Sequence, residues 1–188
     1  AAGNEAVLRA EDESQLFRSV LDILINLNGY ALGWIGRACH DEERNLEVLS
    51  WCGEKQDYLN ELRVRWQHDR FSQGPGGIAV KTRRPVVCQD VETDQNFLPW
   101  LSLAQVHGIH SAVAIPLLFG ENDVGLLAIY STNAHTFTED EVSLLEHLAA
   151  NIAFGVETLR IRSHLQEQRT LAWNSAHLDT LTGLPNRQ

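Results

Sequence analysis

The stretch HSAVAIPLLFGENDVGLLAIYS, residues 110–131, decides the fold class. Two aliphatic and β-branched runs flank the short polar segment GEN, which predicts an antiparallel hairpin whose strands are central in a sheet. A second hairpin is predicted from ALGWIGRAC (31–39) and LEVLSWCG (46–53), because the polar segment HDEERN joins them. The chain therefore contains at least four strands, paired as neighbours along the sequence.

Helical patterns surround these strands. Apolar residues at three- and four-residue steps predict a first helix over 14–27, ended by Gly29. Helical spacing within 54–68 and the turn-rich DRFSQGPGG (69–77) predict two short helices separated by a loop. A third strand at PVVCQD (85–90) precedes a loop and a short helix within 92–108. The order predicts an antiparallel α+β fold.

The last predicted helix is unusually long. It begins where Thr138 and Glu141 have capping-box spacing and where Phe137 and Val142 have the spacing of a hydrophobic staple. Its pattern continues to about residue 178, or roughly 60 Å at ~1.5 Å per residue. The second half must project from the domain or pair with another chain. One buried layer is predicted from the strands and this helix, comprising Val113, Ile115, Leu126, Ala128 and Leu148.

Composition limits the possible partners. The 188 residues carry 25 acids against 15 Lys and Arg, a net charge of −10 that would repel nucleic acid. Because no apolar run approaches the ~20 residues needed to cross a bilayer, we expect no membrane partner and a cytoplasmic location. Three widely spaced cysteines, Cys39, Cys52 and Cys88, indicate neither a disulfide framework nor a zinc site.

Several segments together resemble the GAF family of sensory domains. They are GPGGIAVKTRRPVVCQD, NFLPW, GIHSAVAIPL, VGLLAIYS and FTEDEVSLL, and the similarity covers about residues 10–160. The resemblance implies a GAF fold of class α+β, with an antiparallel central sheet, helices packed on it and a long C-terminal signalling helix.

The C-terminal segment DTLTGLPNR resembles the D-x-L-T-G-L-x-N-R signature that opens GGDEF domains. The matching residues are Asp179, Leu181, Thr182, Gly183, Leu184, Asn186 and Arg187. The resemblance implies a parent diguanylate cyclase that makes cyclic di-GMP from GTP. Its catalytic loop would lie beyond Gln188, so we expect this part of the chain to have no catalytic residues and no cofactor. GTP and Mg are expected only for the cyclase domain.

The two resemblances divide the chain into four parts. Residues 1–12 are expected to be an N-terminal extension, 13–160 the GAF domain, 161–178 a linker helix and 179–188 the start of the GGDEF domain. A parallel homodimer through the first and last helices is expected. Beyond Leu159, an approximate helical stripe supports it, comprising Ile161, Leu165, Ala172 and Leu178.

Many GAF domains hold a small ligand between the sheet and the helices of the middle third, here residues 70–111. The candidate ligand-binding residues are Arg70, Phe71, Cys88, Asp90, Phe97, Trp100, His107 and His110. Phe97 and Trp100 have the alternative role of core or lid aromatics, and Asp90 that of a turn cap. The basic side chains of this region would attract an anionic metabolite, face solvent or meet an acidic surface of a second subunit; they are Arg63, Arg65, Arg70, Lys81, Arg83 and Arg84.

Known cofactor-binding motifs of GAF domains can be compared with the residues at the corresponding positions of this sequence. The Cys-His pair that holds a bilin in phytochrome-like GAF domains is replaced by Pro99 and Trp100, so no bilin is expected. Haem ligation through His107 or His110 is an alternative. The cyclic-nucleotide signature is degenerate, since Ala134 replaces its lysine.

Two functions from different classes remain: a sensory module that controls a diguanylate cyclase, or a dimerisation scaffold that binds no ligand. An enzyme is disfavoured because the sequence offers neither a nucleophile-base pairing nor metal-ligand spacing, so no catalytic or metal residues are assigned.

Overall fold

A computed structural model describes residues 9–67 and 69–177, with side chains to residue 173. The GGDEF-like motif at 179–187 and Leu178 lie outside the described residues.

The fold is built on five antiparallel strands in the order β2-β1-β5-β4-β3. The strands are β1 (Leu32–Ala38), β2 (Leu46–Gly53), β3 (Val86–Cys88), β4 (Ser111–Leu118) and β5 (Val124–Ser131). Both predicted hairpins are confirmed, and β5 lies at the centre of the sheet.

Within the described residues, five α-helices and two 3₁₀ helices complete the domain. The α-helices are α1 (Glu13–Asn28), α2 (Gln56–Glu61), α3 (Pro75–Thr82), α4 (Leu101–His107) and α5 (Glu139–His177), and the 3₁₀ helices are Arg70–Ser72 and Gln95–Trp100. Of the helices in the described parts of the chain, none combines the length and hydrophobicity needed to span a bilayer.

The end of α1 and the start of α5 confirm the sequence signals that predicted them. The Asp12 side chain accepts a hydrogen bond from the Gln15 N–H, and Gly29 closes α1 at a φ of 70°. At the start of α5, the Thr138 N–H donates to Glu141 Oε2 at 3.1 Å, and the Glu141 N–H donates to Thr138 Oγ1 at 3.3 Å. This reciprocal pair is the capping box that the spacing predicted.

The core corrects the prediction of one buried layer. Val113 and Ile115 face α1 and α5, whereas Leu126 and Ala128 face the short helices on the opposite side of the sheet. All four are buried, but on two faces, because successive strand residues point to opposite sides and both sides are covered.

Leu148, the fifth residue predicted to be buried, is only half-buried. The stripe of α5 that packs on the sheet runs through Leu145, Ala149, Ile152 and Val156 instead. Leu148 lies beside that stripe because a helix rotates about 100° per residue.

The helix predicted within residues 54–68 is also corrected, since α2 ends at Glu61. After it the chain extends, and Arg65 pairs with Asn45 in a β-bridge. The Trp66 Nε1–H donates to the Cys39 carbonyl at 2.8 Å, which fixes this segment against the β1–β2 turn. These contacts are distant in sequence and override the local helical spacing.

A network of four charged side chains fixes α5 at the point where it leaves the domain. Arg160 contacts Glu13 at 2.7 Å and Asp123 at 2.8 Å, and Arg37 contacts the same two carboxylates at 3.2 Å. Both guanidinium groups lie over the Phe119 ring. The network joins α5 to α1 and to the β4–β5 turn, and beyond it residues 161–173 are exposed.

Candidate functional site

An aromatic cavity lies on the sheet face opposite α1 and α5. It is lined by Trp34, Tyr58, Phe97, Trp100 and Tyr130, with Leu62, Val64 and Leu126 among its aliphatic members. The space open to the centre of a water-sized atom is about 20 Å³, which is room for about one water molecule. The protein's own side chains therefore nearly fill the place where the sequence predicted a ligand.

Adjacent strands and α2 position the ring cluster of the cavity. Trp34 on β1 and Tyr130 on β5 lie on the same sheet face, and the Trp34 Nε1–H donates to the Tyr130 hydroxyl at 3.4 Å. Tyr58 projects from α2 and meets Tyr130 edge to face, with ring centroids 5.3 Å apart. Such pairs are favourable because the ring edge is positive and the face negative.

Trp100 covers the cavity from the side of the loops. Its Nε1–H donates to the Arg63 carbonyl at 2.7 Å, and its ring packs against Phe71 and Phe97. A Cβ at Gly74 would lie 2.2 Å from the Trp100 ring, so the absence of a side chain there allows the ring to approach the backbone. Trp100 thus occupies a lid position.

The cavity favours uncharged groups. Among the described residues, no charged side chain lines it, and the fully buried Tyr58 hydroxyl has no hydrogen-bond partner. Burial raises the pKa of Tyr58 well above 10 and that of Tyr130 to about 12. A charged ligand would meet no counter-charge here, which makes its burial costly.

Four of the eight candidate residues gather at this cavity. Phe97 and Trp100 line it, and Phe71 packs against the outside of Trp100. Cys88 is buried near the tyrosines, and burial, followed by the charge of Asp94, raises the pKa of its thiol. The thiol is therefore protonated at neutral pH.

Arg70 and Asp90 do not line the cavity and make other contacts. Arg70 is exposed, with its guanidinium 4.9 Å from the centroid of the neighbouring Phe71 ring. Asp90 accepts a hydrogen bond from the Glu92 N–H at 3.0 Å, which is the turn-capping role that the sequence left open.

The two candidate histidines do not line the cavity. The His107 ring packs on Tyr58 from outside at 5.7 Å and lies 3.8 Å from a Glu61 oxygen. His110 uses its backbone, donating to the Ser131 carbonyl at 2.8 Å. The cavity, at about 20 Å³, is far smaller than haem or a bilin, and Trp100 occupies its lid. The described residues hold no group of three metal-ligating side chains.

The sequence interpretation missed three of the five cavity aromatics, Trp34, Tyr58 and Tyr130. The sequence held a signal for two of them, since Trp34 and Tyr130 lie in predicted strands, where alternation assigns each side chain to one face of the sheet. That pattern gives a face of the sheet but not what covers the face.

Removing the Tyr58 hydroxyl tests whether that group has a hydrogen-bond partner in the cavity. Tyr58→Phe is expected to leave the free energy of unfolding unchanged or to raise it by up to ~1 kcal/mol. The variant avoids the cost of burying a hydroxyl that has no hydrogen-bond partner. Tyr130→Phe, the matched variant, removes an acceptor of the Trp34 N–H and is expected to cost about 1 kcal/mol. Urea denaturation measures both. A loss above 1 kcal/mol for Tyr58→Phe would show that its hydroxyl has a partner, such as a bound water or ligand.

Comparisons with known proteins fit this architecture. A family model described as GAF domain matches residues 10–157. The DNA-binding transcriptional activator HyfR of Escherichia coli is 35% identical over 95 residues, covering 47% of this chain and 14% of HyfR. The chain thus spans only a small part of that relative.

Two solved structures illustrate the range of proteins with this fold. Free methionine-R-sulfoxide reductase from Neisseria meningitidis has a TM-score of 0.70 at 18% identity, over 85% of this chain and 87% of that one. The GAF domain region of a putative membrane protein from Geobacter sulfurreducens has a TM-score of 0.65 at 24% identity, over 82% and 97%.

Proposed function

Because the chain belongs to the GAF domain family, we propose that it is the regulatory input module of a diguanylate cyclase. A signal received by the GAF core shifts α5, and α5 controls a GGDEF domain that follows it and makes cyclic di-GMP. The motif DTLTGLPNR at 179–187 supports this output. GTP and Mg belong to the cyclase domain.

The continuity of α5 carries the proposal. Leu145, Ile152 and Leu159 pack on the core, and the same 39-residue helix continues through the exposed segment 161–173. A helix without a break transmits rotation and translation along its axis, so a change in the sheet reaches the far end. The charge network at Arg160 fixes the point about which it would move.

The face of α5 that points away from the core supports a parallel homodimer. We define the outer stripe as Phe154, Ile161 and Leu165, which are 66%, 56% and 52% exposed. Since a helix turns about 100° per residue, these three lie on one side, roughly opposite the residues of α5 that pack on the sheet. A parallel pair would bring the two following domains together, as a cyclase with two GTP-bound halves requires.

The first helix contributes less to this contact. It packs beside α5, but its outer face carries Arg18, Asp22 and Asn26. We therefore place α1 at the border of the dimer contact and the outer stripe at its centre.

The nearly filled aromatic cavity favours a second candidate, a dimerisation scaffold without a ligand. In that case the core serves to hold two copies of α5 in register. A ligand-sensing role requires Trp100 and its loop to move, because about 20 Å³ admits no organic molecule.

Sulfoxide reduction, the activity of the Neisseria protein, is disfavoured. A protein thiol attacks as its thiolate, and burial raises the pKa of Cys39 and raises that of Cys52 to about 11. Cys88 is shifted in the same direction. The HyfR similarity points to another kind of output, transcription, but the motif at 179–187 favours a cyclase for this chain.

Helical phase tests the proposal. Residues 1–188 would be fused to the catalytic GGDEF domain of an active cyclase, with one or seven alanines inserted after Ser163. One residue rotates the output by about 100° and should change cyclic di-GMP production about tenfold. Seven residues restore the phase and should restore the rate. Equal rates at both insertion lengths would exclude control through the helix.

A further inference from the structure

We propose that a cleft at the far end of the same sheet face binds a small monocarboxylate with an apolar body. The cleft opens about 270 Å³ to the centres of water-sized atoms, against about 20 Å³ in the aromatic cavity. Its floor is Ala38, Val80 and Val124, its wall is Trp66, and Lys81 and Arg83 stand at its rim. The proposed cyclase control does not depend on it.

Contacts within the protein fix the floor and the wall of the cleft. Ala38, Val80 and Val124 belong to the buried core of the sheet face, so their outer surfaces form a fixed apolar base. The Trp66 ring is held by its hydrogen bond to the Cys39 carbonyl at 2.8 Å. The rest of the lining is polar and consists of His40, Gln67, Lys81, Arg83 and Asn122.

A fixed histidine forms another side of the cleft. The Arg44 guanidinium can only donate, so His40 Nδ1 accepts from it at 3.1 Å. The remaining nitrogen, Nε2, then carries the proton and donates to the Asn122 carbonyl at 3.3 Å. The ring packs edge-on against Trp66 at 5.3 Å.

The charge of the cleft is positive although the chain is acidic. Lys81 and Arg83 line it, no carboxylate does, and Lys81 forms no ion pair with a described carboxylate. Arg83 donates one guanidinium N–H to the Glu121 carbonyl, which anchors it at the rim.

Three acids of the two neighbouring turns have their own partners. Asp41 accepts from the Asn45 backbone and side chain. Glu43 pairs with Arg65, and Asp123 belongs to the charge network beside α5. Glu42 and Glu121 also lie in these turns, and neither of them lines the cleft.

These features select the ligand class. A carboxylate matches a guanidinium geometrically and needs no more than the two cations present. Its apolar or aromatic body would cover the floor and lie along Trp66, removing apolar surface from water. A neutral molecule of the same shape would bring no counter-charge to either cation, so charge should decide binding.

Phenylacetate and its neutral analogue phenylacetamide are suitable probes, used with the full chain at physiological salt. Isothermal titration should show saturable phenylacetate binding, with phenylacetamide at least about tenfold weaker. Lys81→Gln and Arg83→Gln should each weaken phenylacetate about tenfold. Arg84→Gln, which removes a neighbouring exposed cation outside the cleft, should leave the affinity unchanged.

Three results would overturn the site. They are absence of saturable binding, equal binding of the acid and the amide, and equal loss for Arg84→Gln and Lys81→Gln. Inorganic phosphate bound as tightly as phenylacetate would overturn the ligand class. Circular dichroism checks that each variant is folded, which their exposed positions favour.

Discussion

The double variant Ile161→Glu, Leu165→Glu is expected to sediment as a monomer at concentrations where the unmodified chain is a dimer. Both side chains lie on the outer stripe beyond the domain, at 56% and 52% exposure in the single chain. Pairing buries four such side chains, each worth about 1 kcal/mol because each is half-exposed at the start. Losing them and placing like charges opposite each other should weaken the dimer about a thousandfold.

The matched control is Ser163→Glu, Gln166→Glu. It adds the same two charges to the same exposed segment, but on faces turned about 100° or more from the outer stripe. Its sedimentation should equal that of the unmodified chain. A dimer that survives the outer-stripe change, or that both variants dissociate equally, would place the contact elsewhere.

The native protein is expected to show no tyrosinate absorbance near pH 10, although it contains three tyrosines. Burial, followed by the charge of Glu141, raises the pKa of Tyr30 to about 12. Burial is the largest cause of the rise in the pKa of Tyr130 to about 12 and of the rise in the pKa of Tyr58 well above 10. All three therefore keep their protons where ordinary tyrosines lose them.

The free energy of unfolding should fall steeply in the same range. Below about pH 10 the tyrosines are protonated in both states and contribute no pH dependence. From about 10 to 12 the unfolded chain binds fewer protons than the folded one, so each tyrosine lowers stability by up to ~1.4 kcal/mol per pH unit. The folded chain should lose its structure and ionise its tyrosines together.

Ultraviolet titration followed in parallel with circular dichroism measures this result. In urea the three tyrosines should titrate near their ordinary pKa of about 10. Ionisation of any tyrosine near pH 10 in a chain that is still folded would show that its ring is not buried as described.

Signals confined to neighbouring residues predicted the framework well. Thr138 and Glu141 contact each other three residues apart, and Gly29 needs no distant partner to end α1. The hairpin at 110–131 follows from alternation and a short turn. Such features depend on local geometry, so the sequence alone contains them.

Features that depend on distant contacts were not predicted. The extended segment around Arg65 and Trp66 is set by the β1–β2 turn, which lies more than twenty residues away. In the cavity, Phe97 and Trp100 were among the candidates, but Tyr58 was not, because only the folded sheet brings α2 against Tyr130. In the cleft, Lys81 and Arg83 were among the basic residues that could attract an anion, but Trp66 was not a candidate, because only the fold places it beside the same space as α3.

Cyclic di-GMP synthesis by the fusion of residues 1–188 to an active GGDEF catalytic domain measures whether paired α5 helices govern a following cyclase. The outer-stripe pair Ile161→Glu, Leu165→Glu should lower the rate about tenfold or more, and Ser163→Glu, Gln166→Glu should leave it unchanged. A fusion that makes cyclic di-GMP equally fast with the outer stripe intact or charged would show that pairing of α5 does not govern the cyclase.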